Sequence, residues 1–101
     1  MIRHIVMWTV KEGETPRMKF ERMAEMKARL LELREYIPVI RRLEVGFNSP
    51  SASGDNFDVV LLTEFDSWAD LDSYLRNPDH MKVAEYIGNV RQTRAAIDYE
   101  F

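Results

Sequence analysis

Cysteine is absent from this 101-residue chain. That excludes disulfides, thiolate nucleophiles and zinc–thiolate centres together. Histidine is nearly absent: His4 and His80 are the only two. No metal-binding histidine cluster or Ser-His-Asp arrangement is visible in the sequence, and imidazole chemistry narrows to two positions. Glycine and proline number four each, with no Gly-rich phosphate loop, linker or low-complexity tract. No apolar run approaches the roughly 20 residues of a membrane span, and the first residues carry no signal-peptide h-region. The expectation is a cytoplasmic protein that does not enter membranes. Positive charge is also in deficit, with 14 Lys+Arg against 17 Asp+Glu and a net charge of −3. That argues against a nucleic-acid partner, which needs a broad basic surface.

What remains is 46% hydrophobic and 11% aromatic, the composition of a globular chain. Its length predicts a single domain over residues 1–101, hiding roughly 60–70% of the surface of the unfolded chain. Ile2 to Val10 reads as a strand with apolar residues on both faces: His4, Val6 and Trp8 on one, Ile5 and Met7 on the other. Thr15 and Pro16 open a helix expected to run to about Glu35, with Phe20, Met23, Ala24, Leu30 and Leu31 on its apolar stripe. Lys27 falls inside the stripe and is expected to snorkel. Ile37-Pro38 turns into a strand over Val39 to Phe47. A polar loop over Asn48 to Asn56 leads to a third strand over Phe57 to Phe65. Ser67 caps a short helix whose apolar residues are Trp68, Leu71 and Leu75. Asn77 and Pro78 start another, with Met81, Ala84 and Ile87 expected inward and Gly88-Asn89 loosening its end. A last strand spans about Thr93 to Phe101.

The order strand, helix, strand, strand, helix, strand is that of an α+β, ferredoxin-like four-stranded antiparallel sheet with helices on one face. Helices cover only one side of such a sheet, yet the first and third strands are apolar on both. The economical cover is a second copy of the chain, giving a homodimer through the open sheet face and an α/β barrel with helices outside.

Several segments together resemble the stress-responsive dimeric α/β-barrel (Dabb) family. They are His4-Ile5-Val6-Met7-Trp8, Phe57-Asp58-Val59-Val60 with Phe65, Tyr74-Leu75-Arg76-Asn77-Pro78-Asp79-His80, and Asp98-Tyr99-Glu100-Phe101. The resemblance covers nearly the whole chain. It implies a homodimer with a small-ligand pocket between sheet and helices, and it implies no single activity. One branch, the plant polyketide cyclases, closes a linear polyketide by an aldol reaction. There a tyrosine and a histidine matching Tyr74 and His80 carry the chemistry, and a pocket histidine matches His4. Trp8 departs from that pattern, standing where a smaller aliphatic residue is expected and partly filling the pocket.

The residue chemistry is compatible with that branch. Removing a proton beside a carbonyl needs a base that is neutral near pH 7. A helix N-terminus disfavours the imidazolium, which suits His80 to the task. A tyrosine hydroxyl such as that of Tyr74 can hold the resulting enolate oxygen. The catalytic candidates are therefore Tyr74 and His80, and the binding candidates His4, Val6 and Trp8, with no cofactor and no metal. The expected ligand is a small hydrophobic, carbonyl-bearing molecule. A purely structural account stands beside this one, with His80 bonding a backbone carbonyl, Tyr74 packing on it and His4 satisfied by a neighbour.

Three further clusters are weaker. Glu64, Asp66, Asp70 and Asp72 crowd one helix start and are expected to complement its dipole rather than hold a cation. Arg34, Arg41, Arg42, Arg91 and Arg94 are expected on a solvated face or in ion pairs at the dimer rim. Met18, Met23 and Met26 read as core filler. Two other function classes remain open: a structural stress protein whose role is its stable assembly, and a cofactor-free monooxygenase of the related dimeric-barrel superfamily.

Overall fold

The computed structural model describes residues 1–101, and all of its elements come from local signals that the sequence carries. Strand β1 (Ile2–Val10) is followed by helix α1 (Pro16–Tyr36), strands β2 (Arg42–Phe47) and β3 (Val59–Phe65), helices α2 (Trp68–Arg76) and α3 (Pro78–Val90), and strand β4 (Arg91–Glu100). Gly13, at φ +76°, makes the left-handed turn between β1 and α1 that a side chain would strain. Thr15 then caps α1 by accepting the Met18 N–H, and Ser67 caps α2 by accepting the Asp70 N–H.

The sheet order is β2-β3-β1-β4, with every pair antiparallel. The molecule is an α+β ferredoxin-like fold. Register assigns the faces. His4 lies opposite Thr63 and Asp98, Val6 opposite Leu61 and Ala96, and Trp8 opposite Val59 and Arg94. These residues look toward the helices, where Ile2, Val6, Trp8 and Val10 join Leu61, Phe65, Leu30, Leu33, Tyr74 and Ile87 in one core. The opposite face carries Ile5 and Met7 from β1, Val60 and Leu62 from β3, and Ala95 and Ile97 from β4.

Several boundaries differ from the expected ones. A turn in which the Ile40 N–H reaches the Ile37 carbonyl delays β2 to Arg42. The regular ladder of β3 begins at Val59, and beyond it the Val10 N–H donates to the Asp58 side-chain carboxylate and not to a backbone carbonyl. Gly88-Asn89 does not loosen α3, which runs to Val90 and passes directly into β4.

The helix stripes are also shifted. Burial on α1 begins at Met26, so Phe20 in its first turns is exposed. On α2 the buried pair is Leu71 and Tyr74; Trp68 starts the helix at the surface, where its indole N–H donates to Glu100 on β4. On α3 the inward residues are Val83 and Ile87, while Met81 is exposed. Lys27 snorkels as expected, its amine 5.3 Å from the Phe47 ring centroid.

Candidate functional site

The α2–α3 junction is built by a single residue. Asn77 caps the C-terminus of α2 and the N-terminus of α3, its side chain accepting the Asp79 N–H at 2.9 Å. The proline that follows it disfavours helical geometry, and Asn77 sits extended at ψ 133°. The chain therefore turns sharply and lays His80 back over the end of α2. The His80 Nδ1–H donates to the Leu75 carbonyl at 3.2 Å, satisfying one of the carbonyls that the end of α2 leaves free. The same turn brings the His80 ring to 4.4 Å from the Tyr74 ring, centroid to centroid. Six residues apart in sequence, the two are in contact.

His4 reaches Tyr74 from the sheet side, with ring centroids 6.2 Å apart in an edge-on arrangement. Its Nδ1–H donates to the Asp98 carboxylate at 2.5 Å, across the β1–β4 pair. A carboxylate can only accept, so this bond places a proton on Nδ1. The Leu75 carbonyl does the same for His80. Both imidazoles are held at Nδ1 and neither Nε2 has a protein partner.

Tyr74 lies between them and is completely buried. Its hydroxyl is the one buried side-chain polar atom without a hydrogen-bond partner. A buried polar group left unpaired costs roughly 1–3 kcal/mol, so an acceptor presented to this atom by a ligand would be favoured. Burial also pushes the Tyr74 phenol far above its ordinary range, which keeps it a proton donor. His80 moves the other way. Desolvation by burial is the main cause, His4 and Arg94 add to it, and the bond to Leu75 opposes it; the net effect is a lowered pKa and a neutral ring.

These three side chains share the wall of a cavity of about 260 Å³ between sheet and helices. Val6, Leu61, Leu30, Val83 and Ile87 supply apolar wall. Trp8 also lines it, only 5% exposed, yet it does not plug the space. The five sequence-predicted site residues, His4, Val6, Trp8, Tyr74 and His80, thus converge on one cavity. Sequence reasoning did not single out Asp98 within the closing segment, and it placed Arg91 and Arg94 on a solvated face or rim; Arg94 is exposed and Arg91 half-buried, and both also line this cavity. The available signal was the period-2 alternation of β4 against β1, which puts Arg94, Ala96 and Asp98 on the His4 face.

The acidic cluster separates. Asp66 pairs with Arg41, Asp72 with Arg76 and Glu64 with Arg3, and no group of three or more candidate ligands could hold a metal ion.

A family profile described as the Stress responsive A/B Barrel Domain matches residues 2–101. The chain belongs to this family. No curated protein matches it. Among solved structures, a dimeric protein of unknown function with a ferredoxin-like fold from Bacteroides fragilis is 30% identical, with a TM-score of 0.88 over 99% of this chain and 95% of its own. Hydroxynitrile lyase from Passiflora edulis is 19% identical, with a TM-score of 0.81 over 97% of this chain and 90% of its own. A candidate antibiotic biosynthesis monooxygenase from Nitrosomonas europaea is 17% identical, with a TM-score of 0.75 over 100% of this chain and 98% of its own. At such identities these last two likenesses establish fold alone.

Proposed function

We propose that this member of the stress-responsive barrel family is a homodimer in which each cavity binds a small, largely apolar carbonyl compound, and that it catalyses cofactor-free proton transfer there, of the cyclase or isomerase kind. The observation that carries the reading is the Tyr74 hydroxyl. It is buried, unpaired and flanked by two imidazoles whose Nε2 atoms have no protein partner. A bound carbonyl oxygen would relieve that unpaired donor, and a substrate enolate would relieve it further.

In this mechanism His80 Nε2 removes a proton from the carbon beside the carbonyl, and the electron pair moves to oxygen, where the Tyr74 O–H donates to it. In isomerisation His80 returns the proton at a different carbon; in cyclisation the enolate carbon attacks a second carbonyl carbon of the same molecule, whose π pair moves to its oxygen, and that oxygen takes the proton from His80. His80 suits the role because its lowered pKa keeps it unprotonated at neutral pH. His4, held by Asp98, orients the substrate from the sheet side. The homodimer is supported by the apolar open face of the sheet and by the dimeric state described for the Bacteroides fragilis relative.

The test needs no knowledge of the natural substrate. A panel of aryl and alkyl ketones is incubated with the protein in D2O, and loss of the α-proton signal is followed by NMR. Exchange above buffer background that disappears in His80→Gln and falls at least tenfold in Tyr74→Phe is the expected result. Equal exchange in wild type and His80→Gln would remove His80 from catalysis and leave its bond to Leu75 as its role.

A further inference from the structure

Two cations at the cavity have no partner. Arg3, Arg17, Arg29, Arg41, Arg42 and Arg76 are all paired with carboxylates, and Arg22 donates to the Lys11 carbonyl. Arg91 and Arg94 make no ion pair and no side-chain hydrogen bond, although the chain carries more acidic than basic residues; Arg34, in the last turn of α1 and away from the cavity, is the third such arginine. Arg91 caps the C-terminus of α3, where a cation is favoured in any case. Arg94 has no such reason to be there. It lies on a strand, opposite Trp8, on the face that looks into the fold.

The pair stands away from His4 and Asp98 along the strand. Arg94 and Asp98 are four residues apart on the same face of β4, about 14 Å along the strand at ~3.4 Å per residue. Asp98 holds His4 at one end, Arg94 stands beside Trp8 at the other, and only the methyl of Ala96 lies between them on that face. On the helix side, Ala84, Gly88 and Arg91 follow at helical spacing and line the same cavity. Small residues there leave the approach to the arginines open. The cavity therefore has an apolar middle, a neutral hydrogen-bonding end at Tyr74, and a cationic end.

We infer that the ligand carries an anionic group, a carboxylate, at the end remote from its carbonyl, and that Arg94 with Arg91 binds it. Planar guanidinium forks match a carboxylate through two parallel hydrogen bonds. The inference rests on the cavity's being the ligand site. It adds a substrate class, keto acids with an apolar body, and assigns two specificity residues.

The experiment is an equilibrium titration read by Trp8 fluorescence in a Trp68→Phe background, so that the cavity tryptophan is the sole reporter. The probes are a panel of aryl- and alkyl-substituted keto acids and the methyl ester of each. We expect at least one acid to bind tenfold or more tighter than its ester. In Arg91→Gln/Arg94→Gln that preference should vanish with ester affinity unchanged, and Arg94→Lys should keep part of it. Circular dichroism confirms that each variant is folded. Equal binding of acid and ester to the unsubstituted cavity, or a preference that survives the double substitution, would overturn the anion site while leaving the carbonyl pocket intact. Binding of neither probe class across the panel would overturn the cavity as a ligand site, and this inference with it.

Discussion

Tyr74 concentrates the conflict between stability and function at one atom. Its ring fills the core against Phe65 and His80, with centroids 5.0 and 4.4 Å away. Its hydroxyl contributes nothing to that packing and lacks a partner. Tyr74→Phe keeps the ring and removes a hydroxyl that has no protein partner, so it should leave stability unchanged or raise it by about 1 kcal/mol while weakening catalysis. A melting temperature raised by several degrees, or unchanged, checks the first half; for a domain of this size 1 kcal/mol corresponds to roughly 4–8 °C. A drop in melting temperature would show that the hydroxyl has a partner after all. His80 gives a pH-dependent prediction of definite sign. Its pKa is lower in the folded chain than in the unfolded one, mainly through desolvation. Between the two values the unfolded chain binds more protons, so stability rises with pH there. Stability is therefore full above the ordinary histidine value of about 6.5 and declines as pH falls through the folded value. NMR titration of the His80 ring should give a midpoint below that of a model peptide. Activity should rise with pH through the same midpoint and then level off.

At the scale of elements, the α2–α3 junction carries the site. Asn77 caps two helices at once, and the turn it makes presses His80 onto Leu75 and Tyr74. Asn77→Ala should cost about 1 kcal/mol in urea unfolding, the usual value of an N-cap. It should also reduce activity more than a uniform loss of stability would, because His80 loses its placement; unchanged kcat at full folding would contradict this. The β1–β4 pairing carries the other wall. Asp98→Asn removes the carboxylate that holds a proton on His4 Nδ1 and permits the amide to face it either way. Activity should fall while the sheet stays intact, as far-ultraviolet circular dichroism would confirm.

For the molecule as a whole, the unresolved balance of the monomer is its open sheet face. Ile97 is 60% exposed there, beside Ile5, Met7 and Leu62. A charge placed in that patch would be buried against an apolar surface in the proposed dimer and would face water in a monomer. Ile97→Glu should therefore shift sedimentation velocity from dimer to monomer. The cavity lies on the other side of the sheet, so a folded monomer should still bind ligand. A variant that stays dimeric would place the interface elsewhere.

Much of this was legible because the relevant signals are local. Alternation along Ile2–Val10, the caps at Thr15, Ser67 and Asn77, and the prolines after two of them depend on neighbours within a few residues. They determined the element order and hence the ferredoxin-like fold, and the scarcity of histidine pointed straight to His4 and His80. Helix phase was less legible: the stripe on α3 falls on Val83 rather than Met81, because a helix buries whatever side its docking on the sheet selects. Alternation along β4 groups Arg94, Ala96 and Asp98 on one face, but which partners that face meets was beyond local reading. Asp98 and His4 are 94 positions apart, and Arg94 and Trp8 meet only through the β1–β4 register. Register is set by long-range strand pairing, which moves every side chain to the other face with a shift of one residue. The sequence by itself determined which elements form and which residue types could do chemistry. The tertiary structure alone decided that the Tyr74 hydroxyl is left without a protein partner, that each imidazole is held at Nδ1, and that two arginines line the same cavity as both imidazoles.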